Sequence, residues 1–397
     1  METLAQMRSG ATLERLLCHP RLPWIAGWDA ERPAIRIWEF AVGRLREIGC
    51  VGADAAGYDS DGDDRFKRTP SAAWHPSEPQ LVVADGDCTT RWTPSGITAI
   101  GGLPPVEYPR DVAFSPDGQR LWLSPGGGDD GWESSITLDL NSGASAIGPR
   151  WDTGVAVYPG GGLVATLQSD QAATLVLFSR DTEPVLRPMR RALILDCDGY
   201  ETPVFSPDGR HFAVRGNAYD NSLEVFEFPS LRRALGLTLG DPSPGYPYPQ
   251  DWLDSMNAWS RHNVAFGPSP GALCFGTPGG AVIEIEIDGA QVSEHEVLAG
   301  SGVTALTATA TGELVVAGHD GTLLVLSGGR AAPAQASTAA VTEFLAGTSE
   351  APATDMDHLD LTDGNQTWQP GELGTVTDTS DSDPSWLKIQ AAMNRLA

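Results

Sequence analysis

The most suggestive spacing of chemically useful residues lies in an acidic segment, where Asp59-x-Asp61-x-Asp63 sets carboxylates on alternate positions. That arrangement lets a short loop turn several hard oxygen ligands toward a calcium ion. The remainder of such a loop is missing: Asp64 stands where the sharp turn needs glycine, and Pro70 where a bidentate glutamate would complete the shell. With Asp54 beside them, the three aspartates read first as a solvated acidic loop and second as a calcium site.

Other chemistry is thinner still. Gly126-Gly-Gly-Asp-Asp-Gly131 has the glycines of a phosphate cradle but no lysine and no following helix, and its two carboxylates repel phosphate, so it reads as a mobile turn. His19 and His75 each precede a proline at the end of an apolar run, where a hydrogen-bonded edge histidine is the ordinary role. Cys18, Cys50, Cys88, Cys197 and Cys274 are odd in number and never paired as Cys-x-x-Cys, which suits neither a disulfide framework nor a zinc site. They read as small hydrophobes in a reducing cytoplasm. No catalytic set and no cofactor is expected from these residues.

Charge narrows the partners. The formal net charge is -26, from 52 acidic and 26 basic residues. Such a field repels nucleic acid and anionic lipid, and favours a protein with a basic surface. Nowhere does an apolar run reach the length of a membrane span, and residues 1–10 lack a basic, then apolar, leader pattern, so a cytoplasmic chain is expected. The basic residues are arginines except for Lys67 and Lys388, a bias expected of a GC-rich bacterial coding sequence.

The elements that would position any site emerge from repetition. Val112-Ala-Phe-Ser-Pro-Asp-Gly118 recurs as Pro203-Val-Phe-Ser-Pro-Asp-Gly209. Weaker copies are Leu16-Leu-Cys-His-Pro20, Ala72-Ala-Trp-His-Pro76, Val155-Ala-Val-Tyr-Pro159, Val264-Ala-Phe-Gly-Pro268 and the proline-free Val303-Thr-Ala-Leu-Thr307. The motif prolines fall at 20, 76, 116, 159, 207 and 268, with successive spacings of 56, 40, 43, 48 and 61. The shorter gaps match the roughly 40 to 45 residues of a four-stranded propeller blade, and the longer ones mark insertions after the first and fifth units.

Within each unit the proline ends a strand, because it cannot donate to a ladder, and Asp-Gly then reverses the chain. A second run follows, as in Arg120-Leu-Trp-Leu123, His211-Phe-Ala-Val214 and Glu313-Leu-Val-Val316. After another turn comes a third, as in Ala34-Ile-Arg-Ile-Trp-Glu-Phe40, Ser222-Leu-Glu-Val-Phe-Glu-Phe228 and Ala281-Val-Ile-Glu-Ile-Glu-Ile287, several of them alternating apolar with polar. Seven units of this kind predict an all-β fold, a seven-bladed β-propeller of four-stranded antiparallel blades.

The order strand, Ser-Pro-Asp-Gly, strand, turn and a run ending in Trp-Glu or Phe-Glu resembles the WD40-repeat family over residues 12–346. The repeats are degenerate: no unit carries Gly-His before its first strand, and Trp38-Glu39 is the one near copy of a Trp-Asp ending. The resemblance implies a propeller platform. The strand expected to close the ring is 341–345, with 3–7 as the alternative.

The reading divides the chain into an N-terminal segment (1–11), the propeller (12–346), an acidic disordered linker (347–383) and a short amphipathic helix (384–397). In that helix Trp386, Ile389, Met393 and Leu396 share one stripe. The second insertion, 240–263, sets Tyr246, Tyr248, Trp252 and Trp259 among Pro242, Pro244, Pro247 and Pro249, which makes either a stiffened contact loop or a cap on the core. The function these features predict is a non-catalytic interaction scaffold or regulatory subunit, contacting its partner through this loop and the tethered helix. The rival is a lactonase-like propeller hydrolase holding a metal at the channel mouth, to which Asp85, Asp129 or Asp320 would contribute.

Overall fold

Turn chemistry sets the repeat. In the strongest copies Ser115 Oγ donates to Asp117 Oδ1, and Ser206 Oγ to Asp208 Oδ1 at 2.7 Å, while the same aspartate oxygens accept from Gln119 N (3.0 Å) and Arg210 N (3.1 Å). Gly118 and Gly209 close these turns at φ +74° and +69°. A second constraint adds to the backbone one: a Cβ on Gly118 would lie 2.0 Å from His75 Nε2, and one on Gly209 2.2 Å from the Tyr158 hydroxyl. The residue before the motif proline therefore lays its ring on the glycine of the next repeat, and only glycine leaves room for it.

A computed structural model describes the chain except residues 60–61, 87, 104–108, 125–133, 171, 183, 217–218, 268, 270, 290, 329–335 and 397 and the side chains of 63, 64, 66 and 170. The chain is a seven-bladed β-propeller of four-stranded antiparallel blades: 13–51, 71–99, 112–147, 153–196, 204–238, 264–296, and 303–326 completed by strand Thr3–Arg8. Its contacts define two compact units, Met1–Ser145 with Gly245–Ala334, and Ala146–Pro244 with Gln335–Ala397.

In the first unit the outer strand of the seventh blade comes from the N-terminus, Thr3 pairing with Leu326 and Arg8 with Thr322. Residues 1–11 are thus part of the propeller, and 341–345 is not a strand. The choice follows from periodicity: Ala5 and Met7 alternate with Gln6 and Arg8, so one face enters the core of Leu13, Ile25, Trp38, Val315 and Val325. The first insertion keeps Asp54 and Asp59 exposed but continues into helix α1 (Gly62–Arg68), with the Arg65 and Arg68 guanidinium groups 5.3 and 5.8 Å from the Tyr58 ring centroid and Arg65 paired with Glu14. The second insertion carries helix α2 (Gln250–Asn257).

The second unit holds blades 4 and 5 and the C-terminal residues. Helix α3 (Thr338–Ala346), capped by Ser337 Oγ accepting from Ala339 N, buries Val341 and Phe344 beside Phe178 and Phe228. The strand Ala173–Asp181 of blade 4 is apolar on both faces: Val176 and Phe178 meet blade 5, while Leu175 and Leu177 meet Leu359, Leu361, Trp368, Leu373 and Trp386.

The expectation of a disordered linker at 347–383 is therefore overturned. Asp360–Thr362 adds in parallel to Arg191–Leu193, Thr367–Trp368 pairs back on it, and Arg190 N donates to Ser349 O at 2.8 Å. Acidic composition misleads because its charges, Asp355, Asp357 and Glu372 among them, alternate with the apolar residues that cover blade 4. Helix α4 (Ser385–Asn394) then docks on its own chain, its first amides donating to Asp196 Oδ1 of blade 4 (Ser385 N, 2.8 Å) and Asn394 Nδ2 donating to the carbonyls of Leu373 and Val376.

The turn aspartates make stability pH-dependent. Burial alone would raise the Asp208 carboxyl, but the Ser206 hydroxyl and Arg210 hold it below the usual range. Its contribution is complete above the unfolded carboxylate value of about 3.9 and is lost as pH falls through the lower folded value. Asp208→Asn is expected to cost about 1 kcal/mol at pH 7. Thermal melts should show the gap to wild type narrowing below pH 4; a gap that persists unchanged at pH 2.5 would refute the assignment.

Candidate functional site

The loop before blade 6 builds the most exposed aromatic feature among the described residues of the first unit. Its far end is fixed by Ser260 Oγ donating to Thr304 O, Leu306 N donating to His262 O (2.9 Å) and the buried Asn263 amide donating to Gly276 O (2.7 Å). From this anchor α2 presents Trp252, which is 9% exposed. Tyr248 stacks on Trp252 with centroids 5.0 Å apart and planes at 25°, and Tyr246 meets Tyr248 edge-on at 6.0 Å and 89°. Tyr246 is 89% exposed, Tyr248 and Trp259 half-buried. Trp252 is thus buried, Tyr246 projects, and Tyr248 joins them.

Of the helix residues, Trp386 is buried against Trp368 (5.1 Å, 84°), together with Leu387 and Ala391. The expected stripe is rotated. Small Ala391 and carbonyl-binding Asn394 set the docked face, and Ile389, Met393 and Leu396 point to solvent at 40, 41 and 89% exposure.

Of the hydrolase candidates, Asp85 and Asp320 are among the described residues. Asp320 ties the N-terminal strand in place: it pairs with Arg8 at 2.6 Å and accepts from Thr322 N and Oγ1, which together hold its carboxyl low although burial works the other way. Asp85 ends a strand of blade 2, its carboxyl raised by desolvation with Arg68 opposing. Asp129 and the turn 126–131 lie outside the described residues, as does Asp61, and the Asp63 side chain is not described. Asp59 is exposed, and Asp63 falls in the first turn of α1. Among the described residues no three His, Cys, Asp or Glu side chains gather at metal-binding distance.

His19 and His75 hold turn backbone in place. His19 Nδ1 accepts from Arg21 N and Leu22 N (both 3.0 Å), so Nε2 carries the proton and donates to Glu78 O at 2.9 Å; His75 Nδ1 accepts likewise from Ser77 N and Glu78 N. Burial holds both imidazoles below their ordinary range. Gly267-Pro-Ser-Pro-Gly271 has the Gly-x-Ser-x-Gly spacing of a nucleophile elbow. It joins the antiparallel strands Val264–Phe266 and Ala272–Gly276, where an elbow needs a strand leading into a helix.

In the second unit a cleft of about 440 Å³ opens between 147–150, 185–188 and 350–355, carrying Arg150 and Arg187 against Glu350 and Asp355. Charges of both signs in an open cleft define no ligand class. No helix among the described residues is long and apolar enough to cross a membrane. No family model matches the chain, and a search of curated proteins returns no match to it.

Proposed function

We propose that this propeller is a protein-interaction platform, a scaffold or regulatory subunit that does no chemistry itself. The supporting observation is the ladder from buried Trp252 through Tyr248 to exposed Tyr246. A large amphipathic ring held on a rigid base loses little entropy on binding, which is the property of interface hot spots. The outward Ile389 and Met393 of the docked helix, with Leu396 just past its end, supply a second contact, presented by a fixed helix and not by a tether. The net charge of -26 selects a partner with a basic surface.

Tyr246→Ala is expected to weaken binding of a co-purified partner by about 2 kcal/mol, roughly 30-fold, with thermal stability changed by less than about 0.5 kcal/mol. Affinity measured by calorimetry should also fall between 50 and 300 mM salt. Equal affinity for Tyr246→Ala and the wild type, at every salt concentration, would remove the loop as the contact.

A further inference from the structure

The first unit repeatedly places arginine on aromatic faces. Arg15 lies 5.0 Å from the centroid of Trp28, and Arg65 and Arg68 flank Tyr58. In the second unit Arg191 lies 5.5 Å from Phe344 and Arg233 5.9 Å from Phe226. Among the described residues no cation lies over Tyr246 or Tyr248, although they form the most exposed ring pair. Their planes meet at 89°, giving a right-angled corner backed by the stacked Trp252. Asp251, exposed in the first turn of α2, follows Tyr248 by three residues and keeps the local field negative.

We infer that the corner of Tyr246 and Tyr248 binds an arginine side chain presented by an extended basic segment of the partner; this rests on the platform reading. A ring face carries negative quadrupole density and attracts a cation laid over it. Arginine suits the corner better than lysine does. Its planar, weakly hydrated guanidinium stacks flat on the exposed Tyr246 face and keeps its N–H edge available to a carboxylate, whereas ammonium is compact and strongly hydrated. The acidic chain raises the encounter rate of such a segment and repels an acidic competitor.

The test uses the full chain and three synthetic peptides of one Gly-Ser backbone, bearing two arginines, two lysines or two citrullines, titrated by calorimetry at 50 mM salt. Citrulline keeps the shape of arginine and removes its charge. The arginine peptide is expected to bind about tenfold more tightly than the citrulline peptide, with lysine between them. Tyr246→Ala should erase the arginine preference and Tyr246→Phe should keep it. Equal binding of arginine and citrulline, a lysine peptide as tight as arginine, or a preference surviving in Tyr246→Ala each overturns the inference. Should Tyr246→Ala abolish binding of the co-purified partner while the peptides bind alike, the arginine assignment falls and the platform stands.

Discussion

Ending the chain at Gly347 is expected to abolish soluble, folded protein. The deletion strips Met356, Leu359, Leu361, Trp368, Leu373, Trp386 and Leu387 from the face of blade 4, leaving Ala173, Leu175, Leu177, Ala192 and Ile194 in water. Each large side chain buried there contributes about 1.5–3 kcal/mol of apolar burial. Part of that gain is offset by ordering the segment, at about 1–2 kcal/mol per residue of backbone. The uncovered sheet carries no such compensation: it exposes contiguous apolar surface and the long edge strand Leu186–Asp196, whose partners at 349–351 and 360–362 are gone. Soluble yield and binding of a hydrophobic dye provide the measurement. A truncated chain that stays soluble, binds no dye and melts within about 2 °C of the full chain would show that the C-terminal segment is an ornament.

Phe344→Ala is expected to be the most damaging single substitution of the second unit. Phe344 is fully buried, stacks on Phe228 at 5.4 Å and 27°, meets Phe178 at 5.1 Å, and carries the Arg191 guanidinium 5.5 Å from its centroid. Truncating a phenylalanine in such a place costs about 3–5 kcal/mol, from lost transfer energy and an unfilled cavity. At about 2–4 °C per kcal/mol the melting temperature should fall by roughly 10 °C. Phe344→Leu keeps most of the volume and should cost less than half as much. If Phe344→Ala melts like wild type, α3 is not part of the core.

The seven blades were legible because the turn chemistry is local: Ser115, Pro116, Asp117 and Gly118 interact with each other within a few residues, so the repeat survives in the text of the chain. Strand Thr3–Arg8 ranked second to 341–345 because both segments are short and mix apolar with polar residues, and α3 is chosen by packing on blades 4 and 5, which no local pattern encodes. The C-terminal cover was hidden for the same reason. Leu361 and Trp368 matter through a blade face more than 160 residues earlier, and the cap of α4 is Asp196 and not the adjacent Asp383, which instead accepts from Ser380 N. For the candidate site, the aromatic loop was visible in composition, but which ring would project depended on the register of α2.

The pairing of Thr3–Arg8 with Thr322–Leu326 also sets a clock. These strands are separated by about 320 residues, and at about 5–20 residues per second the first waits roughly 15–65 s for the second to be synthesised. Throughout that interval the seventh blade does not exist, and the N-terminal strand has no ladder to join. Gln6 and Arg8, alternating with its apolar residues, keep the waiting strand half polar and poorly suited to pairing with copies of itself. When the last hairpin arrives, Arg8 meets Asp320 and the strand is latched. Closure of the seventh blade thus waits on a strand made about 320 residues after the one that completes it.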